Sequence, residues 1–201
     1  MFRYKVVKNA ISIELADFIK NYFLLKRDVS KTLYECTLPK HPFWELLGRW
    51  NDRQARNTYS VYADSAIETL LSQVQPLIEE NTGLDLVPTY SHARVYKHGD
   101  VLEPHKDRPS CEISASLHIG GDPWSIWFED TEVDLGVGDL VIYQGPKVLH
   151  WRNRFKGELH VQAFLFYQSK LNPRLNMYDG RAHLGLPSFL RNNRNRELGI
   201  Y

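Results

Sequence analysis

The stretches RVYKHGDVLEPHKD (residues 94–107) and GDLVIYQGPKVLH (residues 138–150) decide the fold. The first ends in an H-x-D pair, His105 and Asp107, and the second ends in His150. Each stretch combines a β-rich run with a turn that contains glycine, and the second continues into a short strand that delivers its histidine. We therefore expect strand–turn units that bring three potential metal ligands together.

The backbone around the H-x-D pair is predicted to be extended. Pro104 and Pro109 discourage a helix, and side chains at i and i+2 point the same way only on an extended chain. One strand end can therefore present His105 and Asp107 to one ion, with His150 as the third ligand. Two imidazoles and one carboxylate leave coordination positions open, and they are the ligand set of non-haem Fe(II) oxygenases.

Outward from these stretches, short β-rich runs alternate with the turns KHGD, GGDP, GVGD and QGPK. Several short strands separated by Gly, Pro and Asp predict a sandwich or barrel. The runs lie at residues 91–97, 111–119, 124–128, 140–144 and 158–167.

Two helices are predicted before the strands, at residues 14–26 and 65–81, from apolar residues at helical spacing. Pro76 is expected to kink or break the second helix. Residues 27–58 are expected to be mostly irregular, with a loop at 51–56 that covers the mouth of a site. Helices followed by strands predict a mainly β, α+β fold with helices packed on one side.

The two stretches resemble the signature of prolyl-4-hydroxylase-like 2-oxoglutarate oxygenases. Arg94 to Gly99, followed by Leu102 to Asp107, is similar to its first half, and Gly138 to Tyr143 leading to His150 is similar to its second. Residues 162–167 resemble the closing strand of that family. The resemblance covers about residues 88–167.

The resemblance implies a double-stranded β-helix, or jelly roll, related to the cupins. It also implies Fe(II) on His105, Asp107 and His150, with 2-oxoglutarate and O2 as cosubstrates and ascorbate as a further candidate cofactor. The reaction would hydroxylate a substrate C–H bond and release succinate and CO2. The substrate is left open between a peptidyl proline, a free amino acid and a small metabolite.

One position departs from the family. Its members usually place Arg or Lys nine or ten residues after the distal histidine to bind the far carboxylate of 2-oxoglutarate, but Leu159 and His160 stand there. A carboxylate in a dry pocket needs a partner that is cationic or offers several hydrogen-bond donors. The candidates are Arg94, Arg108, Arg152, Arg154, Lys156 and His160.

We favour Arg152 as the anchor because a guanidinium binds a carboxylate bidentately; a solvated arginine is the alternative. His160 and Gln162 share one face of the closing strand and are predicted to face the ligand. By the resemblance, Tyr96 donates its hydroxyl to the cosubstrate, with a core tyrosine as the alternative. Ser114, Ser116 and His118 share another strand face, which either lines the cosubstrate pocket or forms the wet face of an antiparallel sheet; we favour the wet face.

Composition bounds these expectations. The net charge of +1 does not mark a nucleic-acid binder. Two cysteines, Cys36 and Cys111, do not make a disulfide framework. Residues 1–12 lack the apolar run of a leader, and no run reaches membrane-spanning length. A cytoplasmic protein is therefore expected.

One domain, 1–201, is predicted, in three parts. Residues 1–87 would supply helical support and cover loops, 88–167 the catalytic core, and 168–201 a basic extension. Three other functions remain open. The first two are a nucleic-acid-base oxygenase whose basic tail holds phosphates and a non-catalytic β-helix binding module. A zinc hydrolase would use the same ligands with a bound water. Nothing in the sequence fixes the oligomeric state.

Overall fold

Eleven β-strands dominate the computed structural model, which describes residues 3–36, 41–52 and 54–191. The strands are β1 (Tyr4–Val7), β2 (Arg49–Asn51), β3 (Arg56–Tyr62), β4 (Leu86–Lys97), β5 (Leu102–His105), β6 (Ile113–Gly121), β7 (Ile126–Phe128), β8 (Thr131–Val133), β9 (Leu140–Tyr143), β10 (His150–Arg152) and β11 (Leu159–Ser169). The helices are α1 (Ile13–Glu35), α2 (Ser65–Thr82) and short 3₁₀ helices at Pro42–Leu47, Pro109–Cys111, Met177–Gly180 and Ser188–Leu190.

The strands form two antiparallel sheets. The major sheet has the order β1-β9-β6-β11-β4-β3-β2, and the minor sheet has the order β5-β10-β7-β8. The chain passes repeatedly between the two sheets, as in a jelly roll. The predicted double-stranded β-helix is thus confirmed, and the predicted strands lie in it with shifted ends.

Strand β11 has buried side chains on both of its faces. Val161, Ala163 and Leu165 belong to the apolar core that also contains the buried stripes of α1 and α2. Phe164 and Phe166 are buried on the opposite face. The helices therefore cover the outer face of the major sheet, and its inner face is left to line the site.

The polar face of β6 is on the inside, so the prediction of a wet face was wrong. Ser114, Ser116 and His118 are all buried. The alternate residues of the strand, including Ala115 and Leu117, pack in the core beside the helices. Because the helices take the apolar face, the polar face must turn inward between the sheets.

Helix α1 is longer than predicted, and α2 is not broken. Residues 27–35 continue α1, because neither Gly nor Pro interrupts the chain between Ile13 and Glu35. Helix α2 runs through Pro76. One missing hydrogen bond does not end a helix whose apolar stripe, which includes Leu71 and Ile78, is fully buried.

Residues 56–58 were also predicted to be irregular, and they begin β3 instead. Strand β3 pairs with β4, for example Ser60 with Arg94. The polar residues Thr58 and Ser60 are buried beside Tyr59 and Val61. A half-exposed strand is recognised in a sequence by alternating apolar and polar residues. Because β3 is buried at polar and apolar positions alike, this alternation did not mark it.

The chain after β11 returns over α2. Arg181 is buried there, and its guanidinium donates to both carboxylate oxygens of Glu68 at 2.8 and 3.1 Å and to the carbonyl of Thr89 at 3.0 Å. The basic extension predicted at 168–201 is thus packed against the fold as far as Arg191, and residues 192–201 lie outside the described residues. Within the described ranges, no helix has both the length and the apolar composition needed to cross a bilayer.

Candidate metal centre

The three predicted metal ligands come together at the edge of the minor sheet. His105 ends β5, His150 begins β10, and the two residues are paired across these strands. Asp107 follows two residues after β5, where its N–H donates to the carbonyl of Gly145 at 3.0 Å. One candidate ligand atom from each side chain lies within 4.8 Å of the other two.

The distances suit one shared ion. Nε2 of His105 lies 3.7 Å from Oδ1 of Asp107, and Nε2 of His150 lies 3.6 Å from the same oxygen. Metal bonds to such atoms measure about 2.1 Å, so an ion between them requires little movement.

Both imidazoles are held in the tautomer that a metal requires. Nδ1 of His105 donates to the carbonyl of Glu103 at 2.8 Å, and Nδ1 of His150 donates to the carbonyl of Val148 at 3.0 Å. Since a carbonyl only accepts, Nδ1 carries the proton and Nε2 keeps its lone pair. Burial, and then the neighbouring His150, lower the pKa of His105 and favour its neutral form.

Asp107 is held ionised and oriented. The Ser114 hydroxyl donates to its Oδ2 at 2.7 Å, which leaves Oδ1 directed at the histidines. Burial raises the pKa of Asp107, but interaction with His150 and the bond from Ser114 bring it below its usual value. Gly145 lies so close that a Cβ atom there would collide with Oδ2 and with the Ser114 hydroxyl.

The triad lines a cleft of about 660 Å³ between the two sheets. Leu102, Ile126 and Tyr143 line it together with the triad. Farther along are aromatic residues of the major sheet and charged residues from four parts of the chain. Those are Tyr62, Tyr90, His92, Phe164 and Phe166, and Glu45, Arg49, Asp52, Arg94, Lys106, Arg108 and Arg191.

Arg152 is a buried cation beside this cleft. It is 1% exposed, and its pKa is lowered to about 10 by burial. Nη2 donates to the side-chain oxygen of Gln162 at 3.2 Å, and Nη1 donates to the carbonyl of Trp124. Among the described residues, no carboxylate pairs with Arg152, and its Nε has no hydrogen-bond partner.

The other predicted cosubstrate residues surround Arg152. Nε2 of His160 lies 2.7 Å from the side-chain oxygen of Gln162, and its Nδ1 bonds to the carbonyl of Asp122. Burial, and then the charge of Arg152, lower the pKa of His160 to about 3, so its imidazole is neutral. Tyr96 is fully buried, with its ring 6.2 Å from that of His160.

The remaining anchor candidates are less suited to a buried anion. Arg154 is exposed and donates to the carbonyl of Gly99, and Lys156 is exposed outside the cleft. Arg108 lies at the mouth. Arg94 lines the cleft, but Asp52 of the cover loop already neutralises it, with Nε to Oδ2 at 3.1 Å.

Gly145 and Arg191 were not predicted as residues of this site, because each acts on a partner distant in sequence. Ser114 was considered for the cosubstrate pocket, but its hydrogen bond to Asp107 was not predicted. The loop at 51–56 was expected to cover the mouth, and its Asp52 and Gln54 do line the cleft. Their pairing with Arg94 could not be predicted from spacing.

Two facing sheets with two histidines and a carboxylate over an interior cleft define the class: a double-stranded β-helix with a candidate metal centre. Comparison with protein-family models and with curated protein sequences finds no match. Comparison with solved structures, in contrast, finds similar proteins. A viral collagen prolyl hydroxylase from Paramecium Bursaria Chlorella virus-1, in its 2OG complex, is 12% identical, with 84% of this chain and 97% of that chain covered and a TM-score of 0.58.

Two further solved structures are similar. A Pseudomonas putida prolyl-4-hydroxylase is 16% identical, with 83% of this chain and 92% of that chain covered and a TM-score of 0.57. HygX from Streptomyces hygroscopicus, with nickel and 2-oxoglutarate bound, is 9% identical, with 84% and 83% covered and a TM-score of 0.58. The chain therefore has the fold of the prolyl-hydroxylase-like 2-oxoglutarate oxygenases.

Proposed function

We propose that the chain is an Fe(II)- and 2-oxoglutarate-dependent dioxygenase that hydroxylates a peptide or small-molecule substrate with release of succinate and CO2. The triad carries the proposal: two imidazoles with free Nε2 lone pairs and one ionised carboxylate face a common cleft. Such a ligand set leaves positions open for a 2-oxo acid and dioxygen. When bound, iron with these cosubstrates supplies the oxidation of a C–H bond.

The residues of this chain would orient the reactants and keep water out. His105, Asp107 and His150 hold the ion from one side. Buried Tyr143 packs its ring 4.7 Å from that of His150, and its pKa is well above the usual value because it is buried. Its hydroxyl therefore stays protonated and adds no negative charge beside the ion.

Arg152 is the proposed anchor for the far carboxylate of 2-oxoglutarate. A guanidinium that is buried without a counter-charge is unfavourable, and an incoming carboxylate would compensate it. Leu102, its partner across the strands, already lines the cleft beside the triad. Arg152 itself does not line the cleft, so binding requires its side chain to exchange the carbonyl of Trp124 for the carboxylate. Gln162 and neutral His160 would support it.

Iron and 2-oxoglutarate binding test this function. We expect the Fe(II)-loaded chain under argon to develop the charge-transfer absorption of an iron–2-oxoglutarate chelate, and to form succinate when air is admitted. His105→Ala and Asp107→Ala should lose both signals and keep the melting temperature. His98→Ala, which removes an exposed histidine outside the cleft, is the matched control. Wild-type succinate formation in either triad variant would contradict the proposal.

The same titration tests the anchor. Arg152→Gln should raise the Kd for 2-oxoglutarate about 10- to 100-fold, because a charge-assisted hydrogen bond contributes about 1.5–3 kcal/mol. Its iron affinity should not change. Arg154→Gln is the control for an exposed arginine. If Arg94→Gln rather than Arg152→Gln weakens 2-oxoglutarate binding, Arg94 is the anchor and our assignment is wrong.

A further inference from the structure

Two arginines at the mouth of the cleft share a single carboxylate. Nη2 of Arg108 and Nη2 of Arg191 each lie 2.9 Å from Oδ2 of Asp179, and the Tyr62 hydroxyl donates to the same oxygen at 2.6 Å. Asp179 is 2% exposed, whereas the side chains of Arg108 and Arg191 are 42% and 32% exposed. This group, which we call the arginine pair, therefore carries a net positive charge.

The rest of the cleft does not neutralise that charge. Glu45, Asp52 and Asp107 are the acidic residues that line it. Glu45 is bound by Arg49, Asp52 is bound by Arg94, and Asp107 belongs to the triad. Five basic side chains line the same cleft, so positive charge is in excess there. The three acids do not bind exposed Lys106 or the partly exposed guanidiniums of the arginine pair, and these carry the excess.

Aromatic rings fix the direction of both guanidiniums. Arg108 lies 4.3 Å above the ring of Tyr90, and Arg191 lies 4.5 Å above that of Tyr62. These two rings stack on each other at 5.2 Å. A guanidinium stacked in this way has lost its rotamer freedom already, so binding an anion costs little further ordering.

Two more rings extend this stack along the cleft, and we call Tyr62, Tyr90, Phe166 and Phe164 together the aromatic row. Tyr90 stacks on Phe166 at 4.5 Å, and Phe166 lies parallel to Phe164 at 6.5 Å. The row forms an apolar floor for a substrate body. Arg108 is the residue next to Asp107, so the arginine pair and the metal centre lie at neighbouring positions on the cleft wall.

We propose that the substrate is an organic anion whose carboxylate or phosphate binds between Arg108 and Arg191 while its apolar body lies on the aromatic row. This rests on the proposed oxygenase function, because the bound body would then face the metal centre. A neutral peptidyl proline would leave the positive charge that Asp179 does not neutralise on the arginine pair unmatched.

The test uses probes with one ring and different charges. Benzoate, phenyl phosphate and neutral benzamide are titrated by calorimetry into the full chain loaded with Ni(II) and 2-oxoglutarate. At least one anion should bind about 10-fold or more tightly than benzamide, and the better anion identifies the group. Arg108→Gln and Arg191→Gln should each weaken it about 10-fold, whereas Arg174→Gln, outside the cleft, should not. Equal binding of benzamide, or unaltered affinity in both variants, overturns the proposal.

Two further variants separate this site from the metal and from a structural role. In metal-free His105→Ala the anion should still bind. Loss of anion binding in this variant would place the anion on the metal and refute binding at the arginine pair.

Asp179→Asn frees both guanidiniums, so a folded variant should bind the anion about 5-fold more tightly. A purely structural role of the two arginines predicts no such gain. Unchanged or weaker binding overturns the proposal. A chain that binds the anion but forms no succinate refutes only the oxygenase function.

Discussion

At the scale of single residues, the candidate ligands are oriented by hydrogen bonds on the side away from the cleft. Both histidines donate to the carbonyl two residues earlier in the chain, and Asp107 accepts from Ser114. These bonds are satisfied without an ion. The ligand atoms are therefore positioned in advance, and little rotamer entropy is lost when a metal binds.

Ser114→Ala tests this orientation. Without the hydroxyl, Oδ2 of Asp107 loses its donor and the carboxylate can rotate, so we expect the affinity for Fe(II) to fall about 10- to 100-fold. The melting temperature should change little. Ser116→Ala is the matched control, because its hydroxyl accepts from Gln162 instead. Equal Fe(II) affinities in the two variants, measured by competition with a chelating dye, would show that Ser114 does not position the ligand.

The triad could be predicted from the sequence, and its supporting residues could not. His105 and Asp107 are two residues apart on an extended chain, so local geometry alone brings them together. Ser114 and Gly145 meet Asp107 only after the sheets close. The choice of Arg152 likewise rested on its chemistry, since no sequence pattern marks an arginine that folding will bury without a partner.

At the scale of elements, the presence of a strand could be predicted where turn residues flank it. The residues at which the strand begins and ends could not. Strand β4 begins at Leu86, five residues before the predicted start at 91. The added part of the strand contains Pro88, which lies opposite Tyr167 next to a bulge between Phe166 and Tyr167, where a missing N–H is tolerated. Only the pairing of distant strands creates that position.

Within the major sheet, one carboxylate joins the residues that follow β1 to the start of β9. Asp139, just before β9, accepts from the Lys8 ammonium at 2.7 Å and from the backbone N–H groups of Asn9 and Gly136 at 3.0 and 2.8 Å. Burial raises the pKa of Asp139, but these bonds outweigh it and hold the pKa below 3.8. Its contribution to stability is therefore complete well above pH 3.8 and is lost as the pH falls through the lowered pKa.

Asp139→Asn should reduce the free energy of unfolding by about 1–3 kcal/mol at pH 7, because charge-assisted bonds are replaced by weaker ones. The gap between wild type and variant should narrow below about pH 4 as the wild-type carboxylate protonates. Urea titrations at a series of pH values measure it. Asp85→Asn, at an exposed aspartate, is the control and should show no pH-dependent gap. A gap that widens towards acid would reverse the assigned sign.

At the scale of the whole molecule, the metal end of the cleft is built from the predicted catalytic core, residues 88–167. The mouth also contains residues from other segments. The triad and three rings of the aromatic row, Tyr90, Phe164 and Phe166, come from residues within 88–167, the part that the family resemblance covered. Asp52 of the cover loop and Arg191 of the C-terminal segment complete the mouth. The mouth thus combines Arg108, from the part covered by the resemblance, with residues of two other segments, and a sequence pattern identifies only the triad.

The segment 170–191, which we call the C-terminal wall of the cleft, is held in place by one buried ion pair. The side chains of Arg181 and Glu68 are 0% and 1% exposed, and Glu68 also accepts from the N–H of Ser91 at 3.1 Å and from that of Gly185. Removing only the arginine leaves a buried carboxylate without its counter-charge, which costs about 3–5 kcal/mol. Replacing Glu68 by glutamine as well removes both charges and avoids that penalty. The glutamine side-chain oxygen can still accept from the N–H groups of Ser91 and Gly185.

Arg181→Met should therefore destabilise the chain by about 3–5 kcal/mol and expose residues 170–191 to proteolysis, and addition of Glu68→Gln should restore part of the stability. Urea unfolding and limited digestion measure both effects. Where the variant remains folded, its Fe(II) affinity should match the wild type, because the β-helix holds the triad without this wall. Arg174→Met, at an exposed arginine, is the control. Loss of Fe(II) affinity in folded Arg181→Met would mean that the C-terminal segment also supports the metal centre, and that mouth and triad are not independent.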